Sequence, residues 1–350
     1  MNMIEVQGKK IGIGAPVFIV AEMSANHLHH LETALELVDH AAASGADGFK
    51  IQTLTPETMT IDCDNEYFVI NSGTPWDGRK LIDLYRETPL PYEWHAPIFE
   101  RCGQKGLICF STPYDTSAAD YLRQFDPPLY KIASFEIFDT PLIKYIAAFG
   151  KPMVISTGMA DYDDIKAAVN ACLSVGNNNI ILLKCTSAYP TPIKEVNLLT
   201  MAHMKDEFGV QVGVSDHTLG NEVSIASIPL GGCFIEKHFT LARSLGGPDA
   251  DFSIEPAELK ELVRVVRNTE SLLGSVNYSV TESSSNNKIF ARSLFFVRDI
   301  KAGECISASH VRSIRPGFGL KPSEIDQVLG KRVKQDISRG TPTSWDQFDE

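Results

Sequence analysis

The sequence lacks any apolar run approaching the roughly 20 residues that a membrane span needs. Its first ten residues, Met1 to Lys10, have no apolar core and none of the grammar of a signal peptide. The expectation is a cytoplasmic protein without membrane contact. Basic residues are in deficit: 32 Lys and Arg against 44 Asp and Glu leave a net charge of −12. Such a surface repels nucleic acid and anionic membrane, so an anionic ligand must be drawn in by a local cluster of cations. Cysteines are few. The seven present are an odd number, and Cys109, Cys172 and Cys233 sit in apolar segments, so they read as buried free thiols rather than a disulfide frame. What remains, 350 residues with 43% hydrophobic and 22% charged, has the balance of an ordinary globular protein. Its length suits two domains, or one large barrel with an appendage.

Short apolar runs recur along the first 270 or so residues: Val17–Met23, Gly48–Thr53, Leu107–Thr112, Leu129–Ser134, Met153–Thr157, Ile180–Ser187, Val212–His217 and Cys233–Thr240. Most are separated by stretches of helical period. Leu31, Ala34, Leu35, Val38, Ala41 and Ala42 share one helical face, with Gly45 as a stop. Asp163 is the expected cap of a helix that buries Ile165, Ala168, Val169, Cys172 and Leu173. Eight strand–helix repeats, with strands apolar on both faces, predict a closed (β/α)8 TIM barrel over residues 1–278, though an open doubly wound sheet would alternate similarly. Asp62–Leu90 reads as an inserted loop, and a long loop in a compact domain usually has a job. Pro256–Leu273 is the expected last helix. The polar stretch within 279–290 reads as a linker, and residues 291–350 as a small β-rich domain with strands at Ser293–Val297, Gly303–Ile306 and Val311–Arg315.

In such a barrel the C-terminal strand ends form the active site. They supply Glu22; Lys50 and Gln52, two apart and therefore on one face; Ser111 and Thr112; Lys131, Ser134 and Glu136; Ser156 and Thr157; Lys184, Thr186 and Ser187; Ser215, Asp216 and His217; and Glu236 with His238. Any one serine there is ordinary turn chemistry. Three lysines in one mouth are not, because lysine is rarely buried without an anionic partner. Lys50, Lys131 and Lys184 with a ring of hydroxyls suit a phosphate and a carboxylate. His217 and His238, on adjacent strands at one height, suit a single Mn²⁺ or Mg²⁺ held with open coordination positions. After the first strand, Glu22 is a candidate for orienting substrate or moving a proton. Ser24 and Asn26 read as helix-cap chemistry, and His27, His29 and His30 as solvated residues.

These residues fall within ordered motifs: Lys50-Ile-Gln52, Phe110-Ser-Thr112, Tyr130-Lys-Ile-Ala-Ser-Phe-Glu136, Ser156-Thr-Gly158, Cys185-Thr-Ser-Ala-Tyr-Pro190, Ser215-Asp-His-Thr218, Glu236-Lys-His-Phe-Thr240 and Gly247-Pro-Asp249. Over essentially the whole chain the set resembles the sialic acid synthase family. The tail from Arg292-Ser-Leu through Arg315-Pro-Gly317 to Gly340-Thr-Pro342 is similar to that family's C-terminal antifreeze-like (SAF) domain. Gly73-Thr-Pro-Trp-Asp-Gly78, Lys184–Tyr189 and Ser313–Gly319 look most like its bacterial pseudaminic acid synthases. The resemblance implies condensation of phosphoenolpyruvate with an N-acetylated amino sugar, 2,4-diacetamido-2,4,6-trideoxy-L-altrose for that branch. It implies a divalent metal on His217 and His238. Phosphoenolpyruvate would meet Lys50, Thr112, Lys131, Ser134, Ser156, Ser187 and Ser215. The sugar would meet Gln52, Glu136, Tyr189 and Asp249, with Glu22 beside the reacting carbons and Trp76 and Asp77 in the specificity loop. Arg315 would reach the partner chain's site in a domain-swapped homodimer. One departure stands out: the family's Asn-His-Asn-Gly is here Asn26-His-Leu-His29. Other readings remain open at this stage: an N-acetylneuraminate or legionaminate synthase, a Schiff-base aldolase using a barrel lysine, or a carbohydrate- or ice-binding protein.

Overall fold

The computed structural model describes residues 2–71 and 77–349. Trp76 and most of the Gly73–Gly78 motif therefore lie outside the described residues. Contacts divide the chain into two units, Met1–Gly274 and Ser275–Glu350.

The first unit is a closed parallel barrel of eight strands: β1 (Phe18–Glu22), β2 (Gly48–Thr53), β3 (Ile108–Pro113), β4 (Tyr130–Ile132), β5 (Met153–Ser156), β6 (Ile180–Lys184), β7 (Gln211–Ser215) and β8 (Gly232–His238). β8 pairs with both β7 and β1, which closes the ring. All eight coincide with the apolar runs. The runs overshoot at the mouth, where β4 and β6 end before Ser134 and Ser187, because the polar residues that follow leave the ladder for loops.

Strand alternation sorts most apolar strand residues into one of two cores. One apolar cluster, with Phe18, Val20, Phe110, Val154, Leu183 and Phe234, fills the barrel interior, where Phe18 and Phe234 stack at 5.4 Å. The other lies between strands and helices. The interior is close-packed. A Cβ at Gly213 would lie 2.2 Å from the Phe234 carbonyl oxygen, so this strand position admits only glycine. Ile4, Val6 and Ile11 join the inner cluster from an antiparallel hairpin, Ile4–Val6 with Lys9–Ile11, that plugs the floor. Strands of three residues are too short to show a period, so sequence reading passes over this plug.

Around the strands, helix Leu31–Ser44 buries Ala34, Leu37, Val38 and Ala41 and ends at Gly45 in the left-handed conformation, φ 88°. Helix Tyr162–Leu173 buries Ile165, Ala168, Val169 and Cys172. Its cap is Asp161, whose carboxylate accepts from the Asp164 amide at 3.0 Å, not Asp163, and Leu173 is exposed. Helix Pro256–Leu273 buries Leu259, Leu262 and Val266 as its period demands. The Asp62–Leu90 excursion is more ordered than a loop. It holds a turn at Glu66–Phe68, a bridge between Val69 and Lys80, and helix Leu81–Arg86, whose Ile82 is buried. All seven cysteines are free, five of them buried, with Cys63 half-buried and Cys305 exposed.

In the second unit, Ser293–Phe296 pairs antiparallel with Val311–Ile314 over a core that includes Leu294, Phe296, Ile306, Val311, Val333 and Phe348. The expected strand at Gly303–Ile306 is a single bridge from Cys305 to Arg332. The expected linker carries two short exposed helical turns, Glu282–Ser285 and Asn286–Phe290.

Gly213→Ala should lower stability by roughly 2 kcal/mol, since a backbone carbonyl cannot step aside as a side chain can. Gly103→Ala should not. It lies within a helix where nothing approaches its Cβ position, and alanine there is worth up to about 1 kcal/mol over glycine. Thermal melts of the two variants check this, and equal midpoints would contradict it.

Candidate active site

Above the apolar interior the same inward positions become charged. Glu22 follows Val20 on β1, Lys50 follows Gly48 on β2, and Glu236 follows Phe234 on β8. Lys50 Nζ lies 3.0 Å from Glu22 Oε2 and 3.3 Å from Glu236 Oε1, and Lys131 Nζ lies 3.6 Å from the latter. All four side chains are 4% exposed or less. Charges taken from water this completely persist only when paired and hydrogen-bonded. Accordingly Lys50 Nζ also donates to Thr112 Oγ1 at 3.4 Å, Gln52 Nε2 to Glu22 Oε1 at 2.9 Å and Ser215 Oγ to Glu236 Oε1 at 3.1 Å. Burial would raise Glu236, but Lys131 and Lys50 outweigh it and hold this carboxyl below its ordinary value. Burial would lower Lys50, but Glu22 and Glu236 outweigh it and hold it above. For Glu22 and Lys131 burial wins: Glu22 is pushed up despite Lys50, and Lys131 down despite Glu236.

This charged layer is the base of a cavity of about 400 Å³, within the range of small-molecule sites. Lys50, Gln52, Lys131, Ser134, Glu136, Ser156, Tyr189, Ser215, His217, His238 and Asp249 all line it. Glu22 and Thr112 sit just behind the lining, fully buried. Ser187 packs beside Ser134 at Gly158, where a Cβ would fall 2.3 Å from one hydroxyl and 2.8 Å from the other. Glu136 is pushed up to about 7, chiefly by burial. Burial likewise raises Asp249, although it accepts from Ser24 Oγ. Arg315 belongs to the second unit, exposed directly after Val311–Ile314.

The His217 and His238 rings are 5.2 Å apart, centroid to centroid. Nδ1 of His217 donates to the Thr186 carbonyl at 3.3 Å, which turns its other nitrogen free as an acceptor. Burial, then His217 and the lysines, keep His238 neutral, the form that ligates. His238 Nδ1 is buried without a hydrogen-bond partner among the described residues, 3.9 Å from an Asp249 oxygen. Burial would lower His217, but its contact with Cys185 outweighs that and holds it above its ordinary value. A neutral His238 with an unpaired ring nitrogen, an adjacent imidazole that binds metal on losing its proton and a nearby carboxylate fit an open divalent site. Among the described residues no group of three or more His, Cys, Asp or Glu forms a full ligand cluster, so such a site would rest on two protein nitrogens.

Several expectations change. Lys184 does not enter the mouth. Leu183 points inward, so alternation turns Lys184 out, where its Nζ donates to the Cys185 carbonyl at 2.6 Å. Asn26 caps no helix. Its amide donates to Phe239 O and Ser253 Oγ, and His30 occupies the cap position. His27 is buried rather than solvated, edge-on to Trp94, while His29 and His30 are exposed. The Leu28-His29 departure also gains an explanation. Both residues adopt left-handed backbone, φ 50° and 57°, the conformation that Asn and Gly take easily. Here the Leu28 side chain reaches the Gly247 turn, and His29 Nε2 donates to the Glu87 carbonyl at 2.7 Å. These contacts offset the strain. Glu236 is the residue whose centrality sequence reading missed. Its signal was present, since two buried lysines require a buried anion. Asp216, expected at the mouth, instead pairs with Lys237 at 3.0 Å on the helix side of the strands.

Fold and mouth together define a parallel barrel with a buried, charged site at its strand ends, followed by a small second unit. The NeuB family model matches residues 37–278 and the SAF domain model residues 291–349. The chain belongs to the NeuB family. It is 43% identical to the pseudaminic acid synthase of Campylobacter jejuni strain 81-176 over 93% of this chain and 94% of that one. To the pseudaminic acid synthase of Helicobacter pylori it is 39% identical, over 95% and 98%. The crystal structure of the spore coat polysaccharide biosynthesis protein SpsE of Bacillus subtilis superposes with a TM-score of 0.68 at 33% identity, covering 100% of this chain and 99% of that one.

Because burial raises Glu136 from an ordinary 4.5 to about 7, the folded state binds its proton more tightly than the unfolded chain does. Its contribution to stability is full below about pH 4.5 and declines as pH rises to about 7. Glu136→Gln should flatten that decline. Melting midpoints of both proteins across pH 4–8 test this, and parallel curves would exclude it.

Proposed function

We propose that this protein is a synthase that condenses phosphoenolpyruvate with 2,4-diacetamido-2,4,6-trideoxy-L-altrose, giving pseudaminic acid and phosphate. The observation that carries the reading is one cavity with Lys50 and Lys131 at its base, paired histidines at its side, and Gln52, Glu136, Tyr189 and Asp249 around them. The names of the relatives supply the product.

The chemistry that suits this arrangement balances as follows. The enol carbon of phosphoenolpyruvate forms a bond to the sugar aldehyde carbon, whose oxygen takes a proton. Water adds at the phosphate-bearing carbon, the carbon–oxygen bond to phosphate breaks, and a keto group remains; the water's two protons balance the one taken by the aldehyde oxygen and the one that leaves with phosphate. Lys50 and Lys131, with the hydroxyls of Thr112, Ser134, Ser156, Ser187 and Ser215, face the carboxylate and phosphate and are fixed before charge moves. Glu136, held near neutrality, is suited to carrying the proton to the aldehyde oxygen. Glu22, anchored by Gln52 and Lys50, stands beside the reacting carbons. A divalent cation held by His217 and His238, Mn²⁺ or Mg²⁺, supplies Lewis-acid polarisation of the aldehyde when bound. Arg315 completes the sugar site from the second unit of a partner in a domain-swapped homodimer, and the free thiols suit a cytoplasmic setting.

Lys131, in the cavity, favours a second chemistry, because burial lowers its pKa as a Schiff-base lysine requires. Borohydride reduction with pyruvate separates the two: a covalent adduct supports the aldolase, none the synthase.

Phosphate release from phosphoenolpyruvate should require the diacetamido sugar and fall more than tenfold after EDTA, returning with Mn²⁺ or Mg²⁺. Turnover undiminished by EDTA would remove the metal from the proposal, and product mass spectrometry across a panel of N-acetylated sugars decides the substrate. Arg315→Ala should raise the sugar KM at least tenfold and leave metal affinity unchanged. An unaltered sugar KM would take Arg315 out of the site.

A further inference from the structure

The outer cavity differs from its base. Beyond Lys50, Lys131 and Glu236 the lining turns to Leu54, Met59, Leu84, Tyr85, Phe135 and Phe252. Met59, Leu84 and Tyr85 come from the segment between β2 and helix His95–Lys105, which contributes no strand to the barrel. All three are only half-buried, and Phe135 is 57% exposed. Apolar surface kept open on a cavity wall is retained for contact with something apolar.

The wall is held in place. His29 Nε2 grips the Glu87 carbonyl, two residues beyond Tyr85, at 2.7 Å. Arg79 donates to Glu87 at 2.6 and 3.2 Å. Tyr85 and Glu136 line the same cavity.

We infer that Met59, Leu84 and Tyr85 form an apolar wall that selects sugars carrying methyl groups, the 6-methyl of a 6-deoxyhexose and its acetamido methyls, over the 6-hydroxy counterpart. This rests on the synthase reading above. A methyl favours such a wall because it leaves water, whereas a hydroxyl pressed against it loses its hydrogen-bond partners. Discrimination of this kind by an apolar pocket amounts to about 10- to 200-fold.

The test compares kcat/KM for one diacetamido sugar with and without its 6-hydroxyl. Wild-type protein should prefer the 6-deoxy sugar at least tenfold. Leu84→Asn and Met59→Gln should each cut that ratio about tenfold, mostly through the sugar KM, with the phosphoenolpyruvate KM unchanged, while Leu84→Met keeps the ratio. Equal losses on both sugars, or an unaltered ratio in both polar variants, would reduce the wall to scaffolding. Should Leu84→Asn fail to fold, Met59→Gln decides alone. Equal wild-type turnover of the two sugars overturns the wall and leaves the synthase standing, whereas phosphate release with neither overturns both.

Discussion

Two ammonium groups inside a barrel are tenable only because two carboxylates are buried with them. Lys50 lies between Glu22 and Glu236, and Glu236 is shared with Lys131. Removing any one leaves a charge stranded away from water, a cost of several kcal/mol. The arrangement also sets electrostatic character. Two ammonium groups and two carboxylates balance in formal charge, so the base of the cavity is not itself acidic. In a protein whose overall charge is −12, that makes the mouth a local exception to the surface around it.

The barrel delivers these groups by arithmetic. Each strand alternates, so a residue two past an interior apolar side chain also faces inward, one layer higher. Phe18, Val20 and Glu22 form such a series on one strand; Phe234, Glu236 and His238 form another on its neighbour, where His238 lies opposite Glu22 in the pairing. Apolar layers below, charged layer above and imidazoles at the rim follow from stepping along the same strands.

Much of this was legible. Parallel strands buried on both faces read as apolar runs, and glycine stops such as Gly45 marked where chains turn back. Lys50 and Gln52 share a face because they are two apart. What failed did so for physical reasons. The inward parity of β6 depends on register, which sequence alone does not set, so Lys184 was assigned to the wrong face. The floor plug is too short to show a period. Glu236 resembled any polar strand end until the lysines around it required a counter-charge. His27 looked like one of three solvated histidines because a helical wheel does not show Trp94 waiting beside it. Leu28 and His29 conceal their backbone, since neither residue advertises the left-handed turn it adopts.

The sealed floor sets the direction of approach. With Phe18 stacked on Phe234 and the hairpin's Ile4, Val6 and Ile11 packed into the same cluster, the barrel interior is closed at that end. A guest of Lys50 and Lys131 would therefore arrive from the strand ends that carry His217 and His238, not through the floor.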